Sequence, residues 1–198
     1  MPYRLASEVN SCDSPLSQDM PPLRIFLTGN PGCGKTTVIR EVSDILASRG
    51  MRIGGIVSSE IRREGIRIGF SLEDLLTHET GILAHADQKA GPRVGKYGVN
   101  LADLQRVGVT AVQRAVAEAD VFIIDELGPM ELHSIPFTKS VELALRSPKI
   151  FLGTIHKHVS HPLVTAVKST PENRIIEVNL ENRAQLPNRI AEQIINDT

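Results

Sequence analysis

The segment Gly29-Asn30-Pro31-Gly32-Cys33-Gly34-Lys35-Thr36 constrains this chain more than any other. It stands between a short apolar run, Leu23-Arg24-Ile25-Phe26-Leu27-Thr28, and a stretch in which Val38, Val42, Ile45 and Leu46 recur at helical spacing up to Gly50. Three glycines so close together cost conformational entropy on folding, so the strand–loop–helix unit must gain something in return. Every fixed position of G-x-x-x-x-G-K-[ST] is met. In that pattern successive backbone N–H groups converge on phosphate oxygens, and the following helix adds a partial positive charge at its N-terminus. Gly29 to Thr36, with Thr37 behind them, therefore read as a cradle for a nucleotide's phosphates. Lys35 is expected to reach the β and γ phosphates, and the Thr36 hydroxyl to ligate Mg2+. A glycine turn that merely caps a helix does not account for lysine followed by threonine.

Strand-like and helix-like patterns alternate through the rest of the chain. Alternation broken at Glu64-Gly65 predicts an antiparallel hairpin over 53–75, added to the main sheet. Leu101, Leu104, Val107, Ala111, Val112 and Ala115 mark a helix, and Val121-Phe122-Ile123-Ile124-Asp125 a buried strand. A helix near 137–146, the strand KIFLGTIH, a helix near 160–168, the strand RIIEVN and a last helix near 183–196 follow. This order predicts a three-layer α/β fold with a mostly parallel central sheet flanked by helices, whose ligand sites lie at the C-terminal ends of the strands.

Both acidic residues of DVFIIDELG fall at such an end. Asp125 is placed to join Thr36 in holding the metal, and Glu126 to orient or deprotonate a water that attacks the γ phosphate. The whole stretch Val121, Phe122, Ile123, Ile124, Asp125, Glu126, Leu127 and Gly128 reads as the second nucleotide-contacting segment. The glycine-rich stretch 91–99 carries Arg93 and Lys96, cations that a flexible loop would fold over the nucleotide; a solvated basic loop is the competing reading. Thr154 and His156 end a strand where a polar side chain would sense the γ phosphate. His156, His158 and His161 lack a cysteine or nearby carboxylate to complete a zinc set.

The chain of 198 residues is expected to form one domain over 23–198, preceded by a flexible extension over 1–22 rich in Ser, Pro, Asp and Asn. With 22 basic residues against 23 acidic and only 4% aromatics, it offers no general platform for nucleic acid. No apolar run approaches a membrane span. Cys12 lies in the polar stretch and Cys33 in the glycine loop, which suits a reducing cytoplasm and a small filler role for Cys33. A monomer is expected. A small-molecule or nucleotide kinase on the same fold, or a nucleotide-controlled switch with a partner, are the alternatives to hydrolysis.

GNPGCGKTT, GGIVSSEIRREGIRIGF, RVGKYGVN, IIDELGPMEL and ENRAQLPNRI together resemble the small nucleoside-triphosphatase family of thermophiles and its vertebrate cancer-related members, over roughly 23–195. The resemblance implies a P-loop domain related to the RecA-like and kinase-like group, and Mg2+-dependent hydrolysis of ATP, GTP and other nucleoside triphosphates with loose base selectivity. Many members carry lysine where this chain has Pro129, so any cation that stabilises the transition state here must come from elsewhere.

Overall fold

In the computed structural model, which describes residues 21–198, the apolar run before the glycine loop is a strand, β1 (Arg24–Thr28). The loop opens directly into α1 (Lys35–Ser48). Strands β2 (Ile53–Arg63), β7 (Val121–Leu127), β8 (Ile150–Ile155) and β9 (Asn173–Glu177) run parallel to β1, in the order β2-β7-β8-β1-β9. β8 thus separates the glycine-loop strand from the acidic strand.

Alternation along these strands sorts their side chains to two faces. Ile25, Leu27, Ile123 and Leu152 pack under α1 and α6 (Leu186–Asn196). Phe26, Phe122 and Phe151 face the other way, with ring centroids 4.9 and 5.0 Å apart, beneath α4 (Ile135–Leu145) and α5 (Pro162–Ser169). The same face is covered by a helix that starts as α2 (Leu101–Asp103), widens into a π-helical stretch (Leu104–Val109) and ends as α3 (Thr110–Glu118). Truncating one of those phenylalanines to alanine would cost about 3–5 kcal/mol. The three layers anticipated from the sequence are present.

The hairpin is more than an appendage. The first half of β2 pairs parallel with β7, from Ile53↔Val121 to Val57↔Asp125, so it belongs to the central sheet. From Ile56 to Arg63 it also pairs antiparallel with β3 (Ile66–Asp74) across the Glu64-Gly65 turn. Three further antiparallel strands, β4 (Thr80–His85), β5 (Arg93–Val94) and β6 (Tyr97–Val99), complete a nine-stranded sheet in the order β5-β6-β4-β3-β2-β7-β8-β1-β9. The stretch 91–99 is therefore a tight hairpin and not a flexible loop. Gly91 and Gly98 serve close approach, a Cβ on Gly98 lying 2.3 Å from the Gln88 carbonyl oxygen, while Gly95 makes the turn at φ 57°. α5 and α6 start slightly later than the sequence suggests, with Pro162 and Pro187 in their first turns, where the missing N–H costs nothing, whereas α4 starts at Ile135, before the expected 137. The expected 1–22 extension, with Cys12, lies almost entirely outside the described residues. Among the described residues no helix is long and apolar enough to cross a membrane.

Candidate active site

The C-terminal ends of β1, β8 and β7 lie side by side and gather the polar groups. At the end of β1 the loop folds on itself through a Cys33 N–H···O=C Asn30 bond of 3.2 Å. α1 begins with no side-chain cap and no acidic residue in its first turn, which leaves its N-terminal N–H groups and dipole available to an anion. Gly29 is wedged. A Cβ there would sit 2.6 Å from the Val178 carbonyl oxygen and 2.9 Å from Cys33 Sγ. Val178 N in turn donates to the Thr28 carbonyl at 2.7 Å, so the β9–α6 connection is fastened to the glycine loop. Cys33 is buried there as packing.

Lys35 Nζ donates to the Gly29 carbonyl at 3.3 Å and lies 3.5 Å from Glu126 Oε1. At that length the second contact is Coulombic, and Glu126 Oε1 is buried without a hydrogen-bond partner. Burial pushes the Glu126 carboxyl above its ordinary range; Lys35 pulls the other way and the neighbouring Asp125 charge adds to the rise. Asp125 is fully buried. Its Oδ1 accepts from the Thr154 hydroxyl at 2.6 Å, while Oδ2 is buried with no partner. Burial raises this carboxyl too, against hydrogen bonds from Thr154 and Thr36 and the charges of Lys35 and Arg40.

Two acidic side chains close the back of the site. After Gly128 the chain makes a helical turn, Glu131–His133, that returns Glu131 towards the end of β7. Glu131 Oε2 accepts from Gly128 N at 3.2 Å, and a Cβ on Gly128 would lie 3.1 Å from Oε2 of both Glu126 and Glu131. Burial, reinforced by the charges of Glu126 and Asp125, pushes the Glu131 carboxyl up to about 8.

Gly29–Thr37, Asp125, Glu126, Gly128 and Thr154 thus share one end of the sheet, whereas other residues expected at the site lie elsewhere. Val121, Phe122, Ile123, Ile124 and Leu127 are core residues, each no more than 1% exposed, so this segment serves the site through Asp125, Glu126 and Gly128. Arg93 and Lys96 sit on the β5–β6 hairpin at the far edge of the sheet. Their partners are local: Arg93 donates to the Lys96 carbonyl, and the Lys96 ammonium lies 5.4 Å over the Tyr97 ring. The strand order separates these two cations from the phosphate loop. His156, directly after β8, does lie near the site: it acts on the Glu126 carboxyl while its Nδ1 accepts from His158 N; His161 caps α5. Sequence reasoning missed Glu131, Arg40 and Arg183. Arg40 donates to Ser59 at 2.7 Å and acts on Asp125 from one turn further along α1; Arg183 lies against Gly34.

A family model described as NTPase matches residues 24–191, from the first strand into the last helix. The chain belongs to this NTPase family. Among curated relatives, the nucleoside-triphosphatase THEP1 of Thermofilum pendens is 45% identical over 170 residues, covering 85% of this chain and 93% of the relative. That of Methanosarcina acetivorans is 46% identical over 174 residues, covering 87% and 97%. Two solved structures share the fold at a TM-score of 0.76. The crystal structure of THEP1 from Aquifex aeolicus is 31% identical and covers 87% of this chain and 99% of its own. The solution structure of a human cancer-related nucleoside triphosphatase is 32% identical and covers 89% and 99%. The architecture is the P-loop NTPase fold of this family, as the sequence segments had implied.

Proposed function

We propose that this NTPase-family protein hydrolyses nucleoside 5′-triphosphates to diphosphate and phosphate, with Mg2+ and with loose selectivity for the base. The observation that carries the hydrolytic reading is the buried, unpartnered Glu126 Oε1 beside Lys35, at the mouth of a loop built for phosphates. The donor set fits Mg2+: Asp125 Oδ2 is a buried carboxylate oxygen with no partner, and Thr36 stands by the same carboxyl, opposing its rise. Among the described residues no group of three or more His, Cys, Asp or Glu could hold a metal. When bound, Mg2+ supplies charge neutralisation across the β and γ phosphates.

The protein groups do the rest. N–H groups of the loop and α1 bind the phosphate oxygens, and Lys35 holds the γ phosphate. Glu126 accepts the proton of a water whose oxygen attacks the γ phosphorus. The bridging P–O bond then breaks, and its electron pair leaves on the diphosphate. A base raised by burial is better matched to this proton transfer at neutral pH than an ordinary carboxylate. Thr154 fixes the orientation of Asp125. With neither Arg93 nor Lys96 at the site, turnover without a partner should be slow, on the order of 10⁻⁴ to 10⁻² per second as in unassisted P-loop GTPases. Phosphate release from ATP, GTP, CTP and UTP, with Mg2+ and with EDTA, tests the proposal. Release from all four that EDTA and Glu126→Gln both abolish, with nucleotide binding retained in the variant, is the expected result. Tight binding without release would overturn hydrolysis in favour of phosphoryl transfer or a switch.

A further inference from the structure

The sequence offers no aromatic platform for a base near the phosphate loop, and among the described residues none of the aromatic pairs involves that loop. A cleft of about 190 Å³ does open beside it, lined by Gly34, Thr37, Val38, Glu41, Arg183 and Ala184. Its position on α1 shows which part of a nucleotide it would meet. Thr36 faces Asp125, and at 100° per residue Thr37, Val38 and Glu41 point about 100–200° round the helix from it. The cleft therefore lies on another side of α1 from Asp125 and Glu126, where the nucleoside of a nucleotide whose γ phosphate meets those two carboxylates would emerge.

Arg183 is presented to that cleft by a built turn. Asn179 Oδ1 accepts from the N–H groups of Glu181 and Asn182 at 2.9 and 3.0 Å; Asn182 Oδ1 accepts from Asn179 N at 3.0 Å. The Asn182 amide donates to the Glu177 carbonyl at 2.8 Å, and Arg183 N to the Asn179 carbonyl at 3.2 Å. The turn is tied to the glycine loop through Val178 and Gly29. The Arg183 side chain crosses Gly34, its Cδ 3.3 Å from where a Cβ would stand. Its guanidinium has neither an ion-pair nor a hydrogen-bond partner among the described residues, although Glu41 lines the same cleft.

We propose that Arg183 is the nucleoside-recognising residue of this site, its guanidinium plane lying against the base in the cleft beside Gly34 and Thr37. The proposal rests on the reading that the loop binds a nucleotide, and it supplies a cause for loose selectivity. A guanidinium plane stacks on the face of a base, and every base has one; edges, which tell bases apart, go unread.

The test reads binding alone. Dissociation constants for ADP, GDP, CDP, UDP and inorganic pyrophosphate, each with Mg2+, would be measured by calorimetry on the wild type, Arg183→Ala and Arg183→Lys. Arg183→Ala should weaken all four nucleoside diphosphates about tenfold, the range of a stacked base, and leave pyrophosphate within about twofold. Arg183→Lys, which keeps the charge and loses the plane, should behave like the alanine variant. Equal weakening of pyrophosphate would make Arg183 a phosphate cation and overturn the proposal. So would full binding in the lysine variant, or no loss in either. A wild type that binds these ligands yet releases no phosphate from triphosphates would fail the hydrolytic reading and leave this one standing.

Discussion

Replacing Glu131 by glutamine should make the protein more stable, and by an amount that depends on pH. Glu131 is buried behind Gly128, with Glu126 near it and its carboxyl raised from an ordinary 4.5 to about 8. Because folding raises this carboxyl, the native state binds its proton more tightly than the unfolded chain does. The stability tied to Glu131 is then complete below about pH 4.5, declines as pH rises, and levels off above about pH 8. At 1.36 kcal/mol per pH unit the loss is about 3 kcal/mol at pH 7 and about 5 kcal/mol above pH 8, both order-of-magnitude figures. Glutamine keeps an oxygen for Gly128 N and cannot ionise. Urea unfolding of both proteins from pH 5 to pH 8.5 would measure the difference. The variant's advantage should be small at pH 5 and grow to several kcal/mol. Glu126 and Asp125 titrate in both proteins, and because their charges raise Glu131 the difference reports Glu131 together with its coupling to them. A gap that stays constant across that range would refute the reasoning, because a merely structural effect carries no pH dependence.

Thr154→Val should cost about 1–3 kcal/mol in urea unfolding, since it strands Asp125 Oδ1 in the interior without its donor. The same variant should need more Mg2+ for half-maximal phosphate release, because Asp125 is no longer held in one orientation. Lys96→Ala should leave kcat and KM for ATP unchanged in a steady-state phosphate assay, as its ammonium sits over Tyr97 at the far edge of the sheet. A large fall in kcat would mean that the hairpin reaches the site.

The parts of the site that were legible in the sequence are those whose chemistry is local. Gly29 to Thr36 announce themselves because the loop's backbone geometry and its lysine lie within eight consecutive residues. Asp125-Glu126 follow four apolar residues, which is enough to place them at a strand end. The same logic overreached at Val121 to Ile124. Sequence adjacency to the acidic pair does not distinguish a side chain at the strand's tip from one sealed in the core. Glu131 was illegible because its burial depends on the turn after Gly128 that brings it back; in isolation it reads as an exposed helical glutamate. Arg183 is distant from the phosphate loop in sequence and meets it only because β9 lies beside β1. The strands from Thr80 to Val99 are short and their burial follows no clean alternation, so their pairing becomes visible only in three dimensions. The glycines there mimic a loop, when in fact Gly91 and Gly98 let backbones touch and Gly95 makes a tight turn.

The wedge at Gly29 has a consequence for length. With Val178 O where a methyl group would go, and Val178 N held by Thr28, the turn bearing Arg183 is tied to the loop bearing Lys35. The seat for the base and the seat for the reacting phosphate then stand a set distance apart, like the marks on a ruler. A phosphate chain one unit shorter than three, its base still on the first mark, would leave the second empty.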